Sequence, residues 1–309
     1  MTQRYWKKVV VFVAVAGFLA FGTPMAASDD VPSQEEIAEM INNPLSYLWM
    51  MAMQDDFVQM DGDVDGADKL KSNRFTVMPV MPMQLTEEYK LVFRPWLPLF
   101  SAKYPYGDPG NFNWVTGPDD KPIPTGIRAT DYHGGIGDVG FWAALASNES
   151  AKPPFVWGVG VTAMFDTATR DQFGLGKNAA GPMGLAFYIS DKWIAGVLAQ
   201  HWVSYSGQND RDHVALTDVQ YVLRYRLTPE TNIGMSPNAQ YNWVTDDLTL
   251  PVGLGFDTLI KIGPLPVKIG MEAYKYVAYG NDDLHNDWHI RIFFVPVLPS
   301  PGWSRKPLF

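Results

Sequence analysis

Residues Thr231 to Val244 read TNIGMSPNAQYNWV, with Asn232, Gly234, Ser236, Asn238, Gln240 and Asn242 on one face and Ile233, Met235, Ala239, Tyr241 and Trp243 on the other. A two-residue period held along a whole segment marks a long strand. One side carries amides and glycine while the other ends in Tyr and Trp. That is the pattern of a transmembrane barrel strand set between a wet lumen and lipid.

Eleven further segments read the same way, so the chain from Leu48 onward carries twelve strands, at about 48–59, 73–84, 88–100, 137–148, 155–166, 181–190, 193–206, 214–227, 231–244, 248–262, 266–279 and 287–298. Their links alternate in length. Leu85 to Glu87, Glu149 to Pro154, Asp191-Lys192, Thr228-Pro229-Glu230 and Gly263-Pro264-Leu265 are tight, whereas Asp61 to Ser72, Ser101 to Ile136, Thr167 to Ala180, Gly207 to His213 and Gly280 to Asn286 are longer and polar. Short turns at one end and long loops at the other suit an outer-membrane barrel with periplasmic turns, and an even strand number puts both termini on that side. A β-propeller needs a blade repeat, and none is present.

The N-terminus shows Arg4, Lys7 and Lys8, the apolar run Val9 to Phe21, then GTPMAAS, which is the layout of a secretory signal peptide ending near residue 27. Ser33-Gln-Glu-Glu36 has capping-box spacing, and Ile37, Met40 and Ile41 share a helical face, so a short helix is expected before Asn42-Asn43-Pro44. The expected organisation is a signal peptide at 1–27, a periplasmic segment with this helix at 28–47, a barrel at 48–299 and a periplasmic tail at 300–309. Phe309 gives the tail an aromatic end, but GWSRKPLF lacks strand alternation.

Removal of residues 1–27 leaves 21 basic against 33 acidic residues, a net charge of about −12. With no basic stripe to neutralise phosphates, nucleic acid is excluded as a partner. The chain has no cysteine, 14 % aromatic and 18 % charged residues. That composition suits a barrel with aromatic girdles, although a soluble β-sandwich shares it.

Alternation assigns the facing. Val219, Tyr221, Leu223, Tyr225 and Leu227 point outward, leaving Asp218, Gln220, Arg224 and Arg226 inside. Trp157, Val159, Val161 and Phe165 point outward, leaving Gly158, Gly160, Thr162 and Asp166 inside. The same reading makes Asn238, Gln240, Gln200, Asp257, Lys268 and Glu272 candidate pore-lining residues, joined by Arg74, Lys90, Arg94 and Asp138 from early strands and His289 and Arg291 from the last. Tyr89, Trp193, Tyr205, Tyr225, Trp243, Tyr279 and Trp288 fall outward near strand ends, where they would sit at the bilayer interfaces. Inward charges pair across a plugged lumen or bias what passes an open one. Inner glycines leave space or let strands coil.

Several segments resemble a bacterial family of outer-membrane transporters labelled as the MetA-pathway of phenol degradation family: NPLSYL (Asn43 to Leu48), GIGDVGF (Gly135 to Phe141), KWIAGVLAQHWVSYSG (Lys192 to Gly207), LTPETNIGMSPNAQYNW (Leu227 to Trp243), LPVGLGF (Leu250 to Phe256) and DWHIRI (Asp287 to Ile292). The resemblance implies an outer-membrane barrel with a solute-transport role, for aromatic or other hydrophobic compounds. It carries no catalytic residues, and the label records a pathway association without naming phenol as the solute.

Catalytic and metal readings are weak. His201 and Ser204 superficially resemble an outer-membrane phospholipase motif, but residues three apart on a strand face opposite ways and cannot act as base and nucleophile. Asp61, Asp63, Asp65 and Asp68 open like a calcium loop, yet Ser72 stands where its Glu is required. His285 and His289 flank a loop-to-strand junction. No metal, cofactor or enzymatic activity is expected. The sequence therefore predicts an all-β chain, a twelve-stranded antiparallel transmembrane β-barrel with a short N-terminal helix, in the outer membrane of a Gram-negative bacterium. Its expected partners are lipid, the barrel-assembly machinery and a small-molecule solute taken up passively. The alternative is a non-transporting structural or surface-interaction barrel. The link from Ser101 to Ile136, rich in Pro, Tyr and Trp, is either a constriction or lid, or a plain external loop.

Overall fold

The computed structural model describes residues 34–43, 46–103, 112–116, 122–127, 132–147, 154–280, 282–298 and 300–301. The expected signal peptide, residues 302–309 of the tail and much of the 101–136 link lie outside them.

One helix, α1 (Gln34–Ile41), precedes twelve barrel strands: β1 Trp49–Asp61, β2 Lys71–Gln84, β3 Tyr89–Lys103, β4 in two parts (Tyr132–Ile136 and Gly140–Ser147), β5 Phe155–Met164, β6 Lys177–Ile189, β7 Trp193–Gly207, β8 Ala215–Arg226, β9 in two parts (Thr231–Met235 and Asn238–Asn242), β10 Asp247–Ile262, β11 Leu265–Ala278 and β12 His285–Leu298. Each strand pairs antiparallel with the next, and β12 returns to β1 with Trp49 opposite Leu298. The sheet closes and leaves no edge.

All twelve expected strands are present, with three refinements. Strand β4 begins five residues before the expected start and is interrupted at Gly137-Asp138-Val139, so Asp138 sits in a break and not on a ladder. Strand β9 is broken at Ser236-Pro237, because proline has no N–H to donate; the register to β8 is the same on both sides of the break. The long link contains a hairpin of its own, Phe112–Thr116 paired with Pro122–Ile127.

The outer surface is apolar. Val159, Val161, Leu254, Phe256, Ile290 and Ile292 are among its exposed side chains, and Tyr205, Trp243 and Trp288 mark the loop end while Phe155, Tyr188 and Trp193 mark the turn end. A continuous apolar belt of this kind is not stable against water and requires lipid. A cysteine scan of this cysteine-free chain should therefore separate neighbours on β9: Asn238→Cys reacts with a water-soluble thiol reagent and Ala239→Cys does not. Equal labelling would contradict the inward and outward assignment.

Two inner glycines, Gly160 and Gly255, let neighbouring backbone approach closely. A Cβ on Gly160 would lie 1.8 Å from the Ala143 carbonyl oxygen, and one on Gly255 2.2 Å from that of Met271. The neighbouring backbone occupies the space a side chain would take.

Candidate functional site: a floored lumen with a mixed cavity

The interior departs from a uniformly polar lining. Inward residues of β3 to β7 form an apolar sector, with Val92, Trp142, Ala144, Met183, Leu185, Phe187, Ile194 and Leu198 in one cluster. The opposite wall, from β8 round to β2, carries most of the charges, with Lys90 and Arg94 of β3 and Asp138 in the β4 break set in the apolar sector.

At the turn end the lumen is floored. Ile37, Ala38 and Ile41 of α1 pack on Met50, Leu259 and Val297, inward side chains of β1, β10 and β12. Asn42 anchors the helix: its Oδ1 accepts Lys268 Nζ at 2.6 Å and Asn232 Nδ2 at 3.4 Å. Above it lies a sealed polar network. Arg224 forms ion pairs with both Asp257 and Glu272. Lys268 stands 3.1 Å from Asp257, Asn232 donates to Asp257 at 2.7 Å, and the Ser236 hydroxyl contacts Glu272 at 2.9 Å. Asp257 and Glu272 are both 0 % exposed. These charges point into the barrel as alternation requires, but they bond one another.

A second carboxylate, Asp56 on β1, gathers Arg74 at 3.0 Å, Arg291 Nε at 2.9 Å and His289 Nε2 at 2.7 Å. Arg291 also donates to the Ser236 carbonyl at 2.8 Å. It thereby ties β12 to the point where Pro237 interrupts β9.

Above this floor are two adjoining cavities of about 210 and about 430 Å³, which share Arg74, Phe100, Asn238, Gln240 and Arg291. Of the sequence-predicted residues, Arg74, Arg94, Asp138, Gln200, Asp218, Gln220, Asn238, Gln240 and Arg291 line the larger one. Arg224, Asp257, Lys268 and Glu272 lie below in the sealed network. Lys90 is buried with its ammonium 4.1 Å from the Tyr47 ring centre, and Asp166 accepts Gln208 at the loop rim. Arg226, at the turn end of β8, has its backbone N–H bonded to the Lys192 carbonyl at 2.8 Å.

Most polar groups around the cavity are already bonded. Asp218 accepts Asn238 Nδ2 at 2.8 Å and Gln240 Nε2 at 2.9 Å. Asp138 accepts the backbone N–H groups of Thr167, Ala168 and Leu175. This carboxylate pins the β5–β6 loop over the cavity, where Phe173 stacks on Phe100 with ring centres 5.0 Å apart. Arg211 clasps the same loop through the Gly174 carbonyl at 2.6 Å.

The aromatic half of the lining, Trp96, Phe100, Trp142, Trp202 and Phe173, was not among the site residues expected from sequence. The first four occupy inward parities, so alternation places them once charge is no longer the only signal sought. Phe173 lies in a loop and gives no such signal. Gly140 makes room for one of them, since a Cβ there would sit 2.2 Å from the Trp96 ring.

The hydrolase motif does not assemble. His201 faces outward and bonds Thr217 at 2.9 Å, on the side opposite Ser204. Ser204 instead meets His213 Nδ1 at 2.7 Å and accepts the Val214 N–H at 3.0 Å. Among the described residues no carboxylate orients His213, and the pair closes the β7–β8 loop.

A closed, lipid-belted barrel of twelve antiparallel strands places the chain in the class of Gram-negative outer-membrane β-barrels. Among solved structures it is similar to an outer membrane channel from Pseudomonas putida F1, with 12 % identity over 82 % of this chain and 97 % of that one and a TM-score of 0.57. It also aligns with the β domain of the Bordetella autotransporter BrkA (10 % identity, 81 % and 100 % coverage, TM-score 0.44) and with outer membrane phospholipase A of Escherichia coli (11 %, 88 % and 99 %, TM-score 0.38), both too loosely to bear on function. No protein-family profile and no curated relative matches the chain. At 12 % identity the likeness to the Pseudomonas channel bears on the fold alone.

Proposed function

We propose that the protein is an outer-membrane channel for passive uptake of small solutes with an apolar or aromatic body. The observation that carries this reading is the cavity of about 430 Å³ inside the closed barrel, where tryptophans stand beside arginines and amides. Its size lies in the ~300–1,000 Å³ range of small-molecule sites, and its lining suits a ligand apolar on one side and polar on the other. The segments resembling the MetA-pathway of phenol degradation family support the same reading. In it, residues 1–27 are removed on export, the barrel-assembly machinery inserts the chain, the turn end with α1 faces the periplasm, and the nine cavity residues named from the sequence meet the solute.

The floor of helix and ion network favours one rival, a closed barrel with a structural or surface role. Two measurements on purified protein decide between them: planar-bilayer conductance, and proteoliposome uptake of phenyl glucoside, a neutral aromatic that crosses lipid slowly. The channel reading expects both to exceed protein-free controls. Silence in both would leave the structural role.

A further inference from the structure

Among the described residues Arg94 is the cavity arginine that forms no close ion pair, with the Asp218 carboxylate acting on it only at longer range. Its guanidinium donates to the Met78 thioether at 3.0 Å and lies 5.8 Å from the Trp142 ring centre. The nearby carboxylates take their hydrogen bonds from other donors, Asp138 from three backbone N–H groups, Asp218 from two neutral amides that leave its charge in place, and Asp56 from Arg74, Arg291 and His289. A guanidinium brings five N–H donors in a fixed fork that matches a carboxylate, and a sulfur atom satisfies one of them poorly. Beside it, the Trp96 and Trp202 indole N–H groups are occupied by the Asp138 carbonyl at 3.2 Å and the Thr162 hydroxyl at 3.1 Å. Neither indole has a donor left for the cavity; Trp96 is partly exposed there, whereas Trp202 is 6 % exposed and contributes ring edge only.

We propose that the cavity is a binding station for small organic acids, in which Arg94 takes the carboxylate and the Trp96, Trp142 and Trp202 rings take the apolar body. The proposal rests on the channel reading and narrows its solute class. Arg74, 45 % exposed although bonded to Asp56, stands by as a second donor to an anion moving along the lumen. Charge-assisted, forked hydrogen bonds discriminate against a neutral analogue, because the analogue leaves the guanidinium unpaired.

The test is calorimetric binding of benzoate, benzyl alcohol and benzylamine to the protein in lipid nanodiscs, with empty nanodiscs as the baseline. Wild type should bind benzoate at least ten-fold more tightly than either analogue, a comparison that needs no variant. Arg94→Gln should lose ten-fold or more in benzoate affinity while benzyl alcohol changes by less than two-fold, and Arg94→Lys should fall between. Heat-modifiable migration on gels reports that each variant is folded. Equal affinity for benzoate and benzyl alcohol, a preference for benzylamine, no benzoate binding, or unchanged benzoate affinity in a folded Arg94→Gln protein would overturn the proposal. Failed uptake of phenyl glucoside with benzoate preference intact removes transport alone. Uptake without that preference removes the acid site alone.

Discussion

Replacing Arg224 with Met is expected to destabilise the folded barrel by about 3–5 kcal/mol, the cost of removing one partner from a buried charge pair. Arg224 neutralises two carboxylates that have no access to water, Asp257 and Glu272. Asp257 keeps Lys268 at 3.1 Å and Asn232 at 2.7 Å. Among the described residues Glu272 keeps hydrogen bonds from the Ser236 and Tyr274 hydroxyls, with Lys268 and Arg291 acting on it at longer range, so the penalty concentrates there. Urea titration in lipid vesicles, read as loss of the heat-modifiable folded band, measures it. The double variant Arg224→Met with Glu272→Leu should recover much of the loss, because an apolar pair replaces a buried ion pair at little net cost. A single variant as stable as wild type would show that water reaches the network.

The second large effect concerns conduction. Deleting residues 34–43 removes α1 and its Asn42 anchor, and single-channel conductance in planar bilayers should then rise several-fold. A helix with its side chains is about 10–12 Å across, enough to occupy much of the lumen of a small barrel. Here its apolar face is seated on inward residues of three strands. The deletion also exposes Lys268 and Asn232, which lose their bonds to Asn42. Unchanged conductance from a folded deletion variant would place the constriction higher, at the Arg291 bridge to β9 or under the Phe173 loop.

The strands were legible because one face of each had to meet lipid. Segments such as Phe155–Met164 and Ala215–Arg226 alternate cleanly, and the tight links between hairpins fixed their number. The interior was harder. On β6 both faces are apolar, with Met183, Leu185 and Phe187 inward and Ala180, Ala186 and Tyr188 outward, so no polar period marks the lumen side. Without that contrast the apolar sector reads as ordinary strand sequence. The partners of Arg224 were hidden for another reason: Asp257 and Glu272 lie two and three strands away, and only the barrel's curvature and stagger bring them to one point. Inward direction is a local property, whereas who meets whom inside is global.

Asn42 also constrains the order in which the molecule is built. Its two partners lie 190 and 226 residues further along the chain. Contacts of such separation repay their loop-closure entropy late in folding. The helix precedes every barrel strand in the chain, yet its seat does not exist until β10, β11 and β12 have paired and β12 has met β1. The floor therefore needs a closed barrel to rest on, because its seat joins strands from both ends of the chain.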